Sequence, residues 1–155
     1  CFYEQIVDVE RDAEMTKLAL SAFQELVRRF PNGNYARDGQ LKIDLTKTQL
    51  AGKEMAVGRF YLKREQYVAA VRRFDIVITN YNTTNQVPEA LYRKAAALFA
   101  LGLNDQSKRI FEVAKYNYPN SPWTVRLNTL HEEPEIPTEK SILNRSKDFI
   151  TDIFN

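Results

Sequence analysis

The segment that decides the fold is residues 55–81, MAVGRFYLKREQYVAAVRRFDIVITNY. It predicts two antiparallel helices joined by a turn near Glu65. In the second helix the apolar residues advance by three and four positions, the spacing of one buried helical face: Tyr67, Ala70, Val71, Phe74, Val77 and Ile78. A helix pair of this size cannot cover its own apolar faces. We therefore expect similar pairs on either side of it.

A pattern of small-x-x-x-Phe-x-x-apolar occurs three times in the chain, and the helix breaks eight residues after each Phe. The three copies and their breaks are Phe23 and Pro31, Phe74 and Asn82, and Phe111 and Pro119. This pattern is typical of the second helix of a tetratricopeptide (TPR) repeat. The small residue lets two helices approach, and the proline ends the helix. The sequence therefore predicts an all-α fold, a TPR-type α-solenoid of antiparallel helix pairs.

The copies are unevenly spaced. Phe74 and Phe111 are 37 residues apart, whereas Phe23 and Phe74 are 51 apart. Since the helical pattern continues from Tyr35 to about Arg64, we predict one long helix shared by two repeats. Before it we predict a helix over 15–30, and before that the tail of another helix over 2–9, separated by a charged connection at 10–14.

The C-terminal part continues the same helical pattern to about residue 130, and a linker and a tail helix follow. Helices are predicted over 90–101 and 106–118, and a short helix from Ser121 to about Leu130 is expected to cap the solenoid, which spans 1–130. Residues 131–138, HEEPEIPT, contain two prolines and three glutamates and predict a linker. Residues 139–155 predict an amphipathic tail helix. Its apolar face would fold back on the solenoid, dock on a partner or lie on a membrane surface.

The composition excludes several classes of function. The 155 residues carry a net charge of +2, which is too balanced for nucleic acid to be the main partner. The single cysteine excludes an internal disulfide, and the single histidine, His131, has no neighbours that would complete a catalytic triad or a metal site. No glycine-rich phosphate loop is present. We therefore expect no enzyme, no cofactor and no metal.

Several longer strings resemble the outer-membrane assembly lipoprotein family BamD, also called YfiO. They are YEQIVDVERD, ALSAFQELVRRFPNGNYARD, LAGKEMAVGRFYLKREQYVAAVRRF, TTNQVPEALYR and NYPNSPW, all between residues 1 and 130. Because the chain opens on the helix-like CFYEQIVDV, we expect it to begin inside a repeat, as a C-terminal fragment. Cys1 is then not the acylated cysteine of the family, and the tail from His131 has no place in the family pattern.

The resemblance implies a non-enzymatic adaptor on the periplasmic face of the bacterial outer membrane, held there by an N-terminal lipid anchor absent from this sequence. Implied partners are the POTRA domain of BamA nearest the membrane, BamC-like and other accessory lipoproteins, and unfolded outer-membrane proteins. Matched to the family pattern, Arg64 and Arg73 are candidate ion-pair donors to BamA, with Tyr61 and Tyr67 supplying contact area.

A second hypothesis uses a different surface. In many TPR proteins the first helices of the pairs line a concave groove that binds an extended peptide, and Arg59, Lys63 and Arg93 would then carry the binding. A third hypothesis is membrane binding by the tail helix through Lys140, Arg145 and Lys147. For any of these arginines and lysines, a solvated outer-face role is the ordinary alternative.

Overall fold

The computed structural model of the chain describes residues 2–131, with side chains from Glu14 to Asn128. This part is six α-helices in chain order, and it contains no strand: α1 (Phe2–Arg29), α2 (Ala36–Lys63), α3 (Tyr67–Asn80), α4 (Val87–Ala100), α5 (Asn104–Asn117) and α6 (Pro122–His131). Each helix packs against the next, and α6 also contacts α4. The predicted all-α, TPR-type fold is confirmed.

The long shared helix is confirmed as α2, which has 28 residues, twice the 14 of α3, α4 or α5. Its glycines lie where neighbouring helices come close. A Cβ added to Gly39 would lie 2.9 Å from the Val27 side chain of α1, and one added to Gly58 would lie 2.5 Å from the Phe74 ring of α3. Glycine costs about 1 kcal/mol relative to alanine inside a helix. Here it allows the close approach.

The N-terminal prediction was wrong in one respect. We predicted a charged connection at 10–14 between two helices, but α1 runs without interruption from Phe2 to Arg29. The physical reason is that charged residues such as Glu and Arg are good helix formers, and the segment contains neither glycine nor proline to end the helix.

The core follows the repeated phenylalanines. Phe74 is fully buried and Phe111 is 6 % exposed, whereas Phe23 is only half-buried. Apolar side chains beside Phe23 are open to solvent: Met15, Leu18 and Leu26 on α1, and Phe30 directly after it, are between 40 and 67 % exposed. The best-packed region therefore lies between α2 and α5.

The described part of the chain ends in a short helix. The predicted cap is α6, whose Trp123 ring lies 5.4 Å from the Tyr92 ring of α4, centroid to centroid. The helix includes His131, the first residue of the predicted linker. The rest of the predicted linker, to residue 138, and the predicted tail helix of 139–155 lie outside the described residues. None of the described helices is long and apolar enough to cross a membrane.

Candidate partner-binding site at the α2–α3 turn

The turn between α2 and α3 has a defined left-handed geometry. Glu65 has a φ of 58°. Its N–H donates to the Leu62 carbonyl oxygen (2.9 Å), and the next N–H, of Gln66, donates to the Tyr61 carbonyl oxygen (3.0 Å). These two bonds form a Schellman motif, which ends a helix and reverses the chain. Glycine is the usual residue at the left-handed position, so a glutamate there is strained.

The same motif closes the next helix pair, 37 residues later. Gly102 has a φ of 76°. Its N–H donates to the Phe99 carbonyl oxygen (2.9 Å), and the Leu103 N–H donates to the Leu98 carbonyl oxygen (2.9 Å). The two turns are therefore structural equivalents, although one uses glutamate and the other glycine.

An open concavity of about 580 Å³ lies beside the α2–α3 turn. It contains three of the four residues predicted to bind a partner, Tyr61, Tyr67 and Arg73, and also Arg72 and Val68. Leu101, which precedes the α4–α5 turn, completes its wall. Aromatic, apolar and guanidinium groups thus meet on one edge of the solenoid, which is the composition that protein–protein contacts favour.

Arg73 is already engaged within the chain. Its Nη1 donates to Oε2 of Glu54 on α2 at 3.2 Å, and the two side chains are 33 and 16 % exposed. This bond fastens α3 to α2 across the wall of the concavity. A guanidinium has five N–H donors, and Glu54 occupies one of them. Arg73 can therefore still donate to a partner's carboxylate while it remains held by Glu54.

Arg64, the other predicted donor, lies apart. Its guanidinium stacks on the Phe60 ring, 4.5 Å from the ring centroid, and it does not line the concavity. The structure therefore brings together Arg73, Tyr61 and Tyr67 but not Arg64. The stacking nonetheless fixes the direction of an exposed positive charge at the end of α2.

The phenol of Tyr67 is kept protonated. Burial first, and then the negative charge of Glu65, raise its pKa above the ordinary value. The hydroxyl is a hydrogen-bond donor at neutral pH in either case, and the raised pKa extends that role to more alkaline pH.

The residues of the predicted peptide groove behave differently. Arg59 Nη1 donates to Glu89 Oε1 at 2.7 Å, and Arg93 Nε donates to the same oxygen at 2.6 Å. Arg93 also lies over the Trp123 ring, 5.6 Å from its centroid, and only 12 % of its side chain is exposed. Two of the three predicted groove cations are thus used to tie α2, α4 and α6 together. Lys63 is exposed at the end of α2.

Comparison with known proteins assigns the chain to a family. The profile of the YfiO family, described as outer membrane lipoprotein, matches residues 1–113. The chain belongs to the YfiO family.

Relatives named outer membrane protein assembly factor BamD extend the match over most of the chain. The Caulobacter vibrioides protein is 50 % identical over 125 residues, covering 81 % of this chain and 41 % of the relative. The Rickettsia prowazekii protein is 48 % identical over 122 residues, covering 79 % of this chain and 49 % of the relative. The chain spans less than half the length of these relatives. Their names describe assembly factors rather than enzymes.

One residue of the YfiO-family concavity was missed by sequence reasoning. Arg72 lines the concavity, is exposed, and has no side-chain hydrogen bond or ion pair within the described part of the chain. The sequence offered two adjacent arginines, and the family pattern selected Arg73. Because neighbouring helical residues point about 100° apart, only the packing of α3 on α2 shows which one is free.

Proposed function

We propose that this chain is the part of an outer-membrane protein assembly factor that docks another subunit of the assembly machinery. Docking would use the concavity beside the α2–α3 turn. The observation that carries the proposal is the meeting of Tyr61, Tyr67 and Arg73 in one concavity of a YfiO-family scaffold. The names of the relatives supply the process, since they are outer membrane protein assembly factors.

The proposed partner is the POTRA domain of BamA nearest the membrane, on the periplasmic face of the outer membrane. The same proposal includes contacts with accessory lipoproteins and with unfolded outer-membrane proteins. It also includes a lipid anchor on the whole protein. In this mechanism Arg73 gives a charge-assisted hydrogen bond to a carboxylate of the POTRA domain. The tyrosines supply rigid contact area, and Arg64 contributes a charge at the rim.

In this proposal the helical scaffold holds the Arg73 guanidinium in an orientation suited to binding the partner. Because Glu54 fixes the guanidinium on one side, fewer side-chain rotamers are lost when the partner binds. The cross-helix ion pair therefore serves docking as well as packing of α3 on α2.

The test measures binding of the full chain to the isolated membrane-proximal POTRA domain of the cognate BamA by calorimetry. We expect Arg73→Gln to weaken binding about tenfold or more, because a donor at a partly dried interface is lost. Lys94→Gln is the matched control. It removes another cross-helix ion pair, Lys94 with Asp75 between α4 and α3, and its residues do not line the concavity.

Two results would contradict the proposal. One is a wild-type chain that does not bind the POTRA domain. The other is an equal loss of affinity in both variants, which would assign the effect to loosened helix packing. Thermal melts of both variants, recorded by circular dichroism, report that loosening directly.

Peptide capture in the concave groove is the second candidate, but the geometry favours it less. Arg59 and Arg93 share the Glu89 carboxylate, which offsets part of their charge, and only 12 % of the Arg93 side chain is exposed to a peptide. Binding of extended peptides that is weakened by Lys63→Gln and unaffected by Arg73→Gln would support this alternative.

A further inference from the structure

A second concavity lies at the α4–α5 turn, in register with the first. It has a volume of about 430 Å³ and is lined by Gly102, Leu103, Asn104, Asp105, Gln106 and Arg109. Each of these residues is 37 positions after a residue that lines the first concavity. The TPR repeat has therefore built the same depression twice on one edge of the solenoid.

The two depressions adjoin. Leu101 belongs to the wall of the first and Gly102, the next residue, to the wall of the second. A partner segment that lies along this edge would therefore contact both without leaving the surface.

Arg72 and Arg109 occupy the same place in the two depressions. Both are exposed, and within residues 14–128 neither side chain makes a hydrogen bond or an ion pair. The carboxylates on the same edge, Glu65 and Asp105, do not pair with them. By contrast, Arg59, Arg73 and Arg93 all donate to glutamates of the chain. The repeat thus presents two unengaged guanidinium groups, one repeat apart.

The surroundings of the two arginines differ in polarity. The first depression is walled by Tyr61, Tyr67 and Val68, whereas the equivalents of the last two in the second depression are Asn104 and Asp105. The first therefore suits an apolar side chain next to a carboxylate, and the second suits a polar backbone or side chain next to a carboxylate.

We propose that Arg72 and Arg109 bind two carboxylates of one acidic segment of the partner, which runs along the turn edge from the first depression to the second. The inference rests on the proposed function, because it specifies how the docked partner extends beyond the α2–α3 turn. It commits to an acidic partner segment because Arg72 and Arg109 each present an unengaged guanidinium group, whose planar fork matches a carboxylate.

The experiment titrates the full chain with the isolated POTRA domain at low and at high ionic strength and determines Kd for four variants. Arg72→Gln and Arg109→Gln are each expected to weaken binding about fivefold, and the double variant about twenty-five-fold, since separated sites add. Both single variants should also reduce the dependence of Kd on salt. Arg37→Gln is the matched control, an exposed arginine at the start of α2 with no side-chain partner among the described residues. It should change Kd by less than about twofold.

The outcomes separate the two proposals. If the wild type binds and Arg109→Gln binds equally tightly with unchanged salt dependence, the inference is overturned and docking at the first depression stands. If Arg37→Gln weakens binding as much as Arg109→Gln, general electrostatic attraction explains the effect and the inference also fails. If the wild type does not bind the POTRA domain, the proposed function itself is wrong, and the inference falls with it.

Discussion

The helix pairs α2–α3 and α4–α5 have the same turn and the same buried phenylalanine, but their outer faces differ in polarity. Both close with the same Schellman turn and bury a phenylalanine at the same position, Phe74 and Phe111. On α3, Val71 and Ile78 are partly buried against the core, whereas their equivalents on α5 are the exposed lysines Lys108 and Lys115. The turn and the buried core residues are thus the same in both repeats, whereas the polarity of the outer face depends on which helix packs against it.

The largest expected difference between the pairs concerns the repeated phenylalanine. Phe74→Ala should lower the free energy of unfolding by about 3–5 kcal/mol, because the ring is fully buried between helices. Phe111→Ala should cost less, since part of that ring is exposed, and Phe23→Ala least, since Phe23 is half-buried. Urea unfolding followed by circular dichroism measures the three values. A larger loss for Phe23→Ala than for Phe74→Ala would show that the core is centred on α1 instead.

A smaller difference concerns the residue that faces each phenylalanine. Gly58→Ala should cost about 1–3 kcal/mol, because the new Cβ would lie 2.5 Å from Phe74 Cε1. The equivalent residue of the second pair is Ala95, which is fully buried, and Ala95→Gly should cost about 1 kcal/mol through helix propensity. Thermal melts compare them. Phe74→Leu in the Gly58→Ala background should recover part of the loss, and a Gly58→Ala protein more stable than wild type would disprove the close contact.

The smallest expected effects concern the two left-handed turn residues, and they have opposite signs. Glu65→Gly should stabilise the protein by up to about 1 kcal/mol, because it removes the cost of a side chain at a φ of 58°. Gly102→Ala should destabilise it by about 1 kcal/mol for the same reason. Chemical denaturation resolves both. Destabilisation by Glu65→Gly would mean that the glutamate side chain contributes more than its backbone strain costs.

Much of the fold could be predicted from the sequence because the pattern around the phenylalanine occurs three times. Phenylalanine spacing fixed the pairing of helices, and the interval between Phe23 and Phe74 required the long α2. The connection predicted at 10–14 failed because charge alone does not end a helix. Glycine or proline lies in the breaks after α1, α4 and α5, but α2 ends at the Glu65 turn without either, so the sequence marks some helix ends more clearly than others.

The candidate site was less predictable than the fold. Arg73 and Glu54 are 19 residues apart, and whether their side chains meet depends on how α3 is rotated against α2. The same holds for Arg59 and Glu89, which belong to different helix pairs. Long side chains pair according to this rotation, which the apolar pattern defines only to within a face. Sequence reasoning could therefore place arginines on an edge but not say which were already occupied.

The length of α2 gives the molecule a mechanical property. Its 28 residues form a rod about 40 Å long. Near one end Gly39 lies against α1, and near the other Gly58 lies against α3, with Tyr61 in the wall of the first depression. The rod contains no proline, which is the commonest cause of a sharp kink in a helix. A tilt of about 10° imposed through α1 would displace the far end by about 7 Å. Helix α2 is thus a lever that couples the orientation of α1 to the position of the edge where a partner would dock.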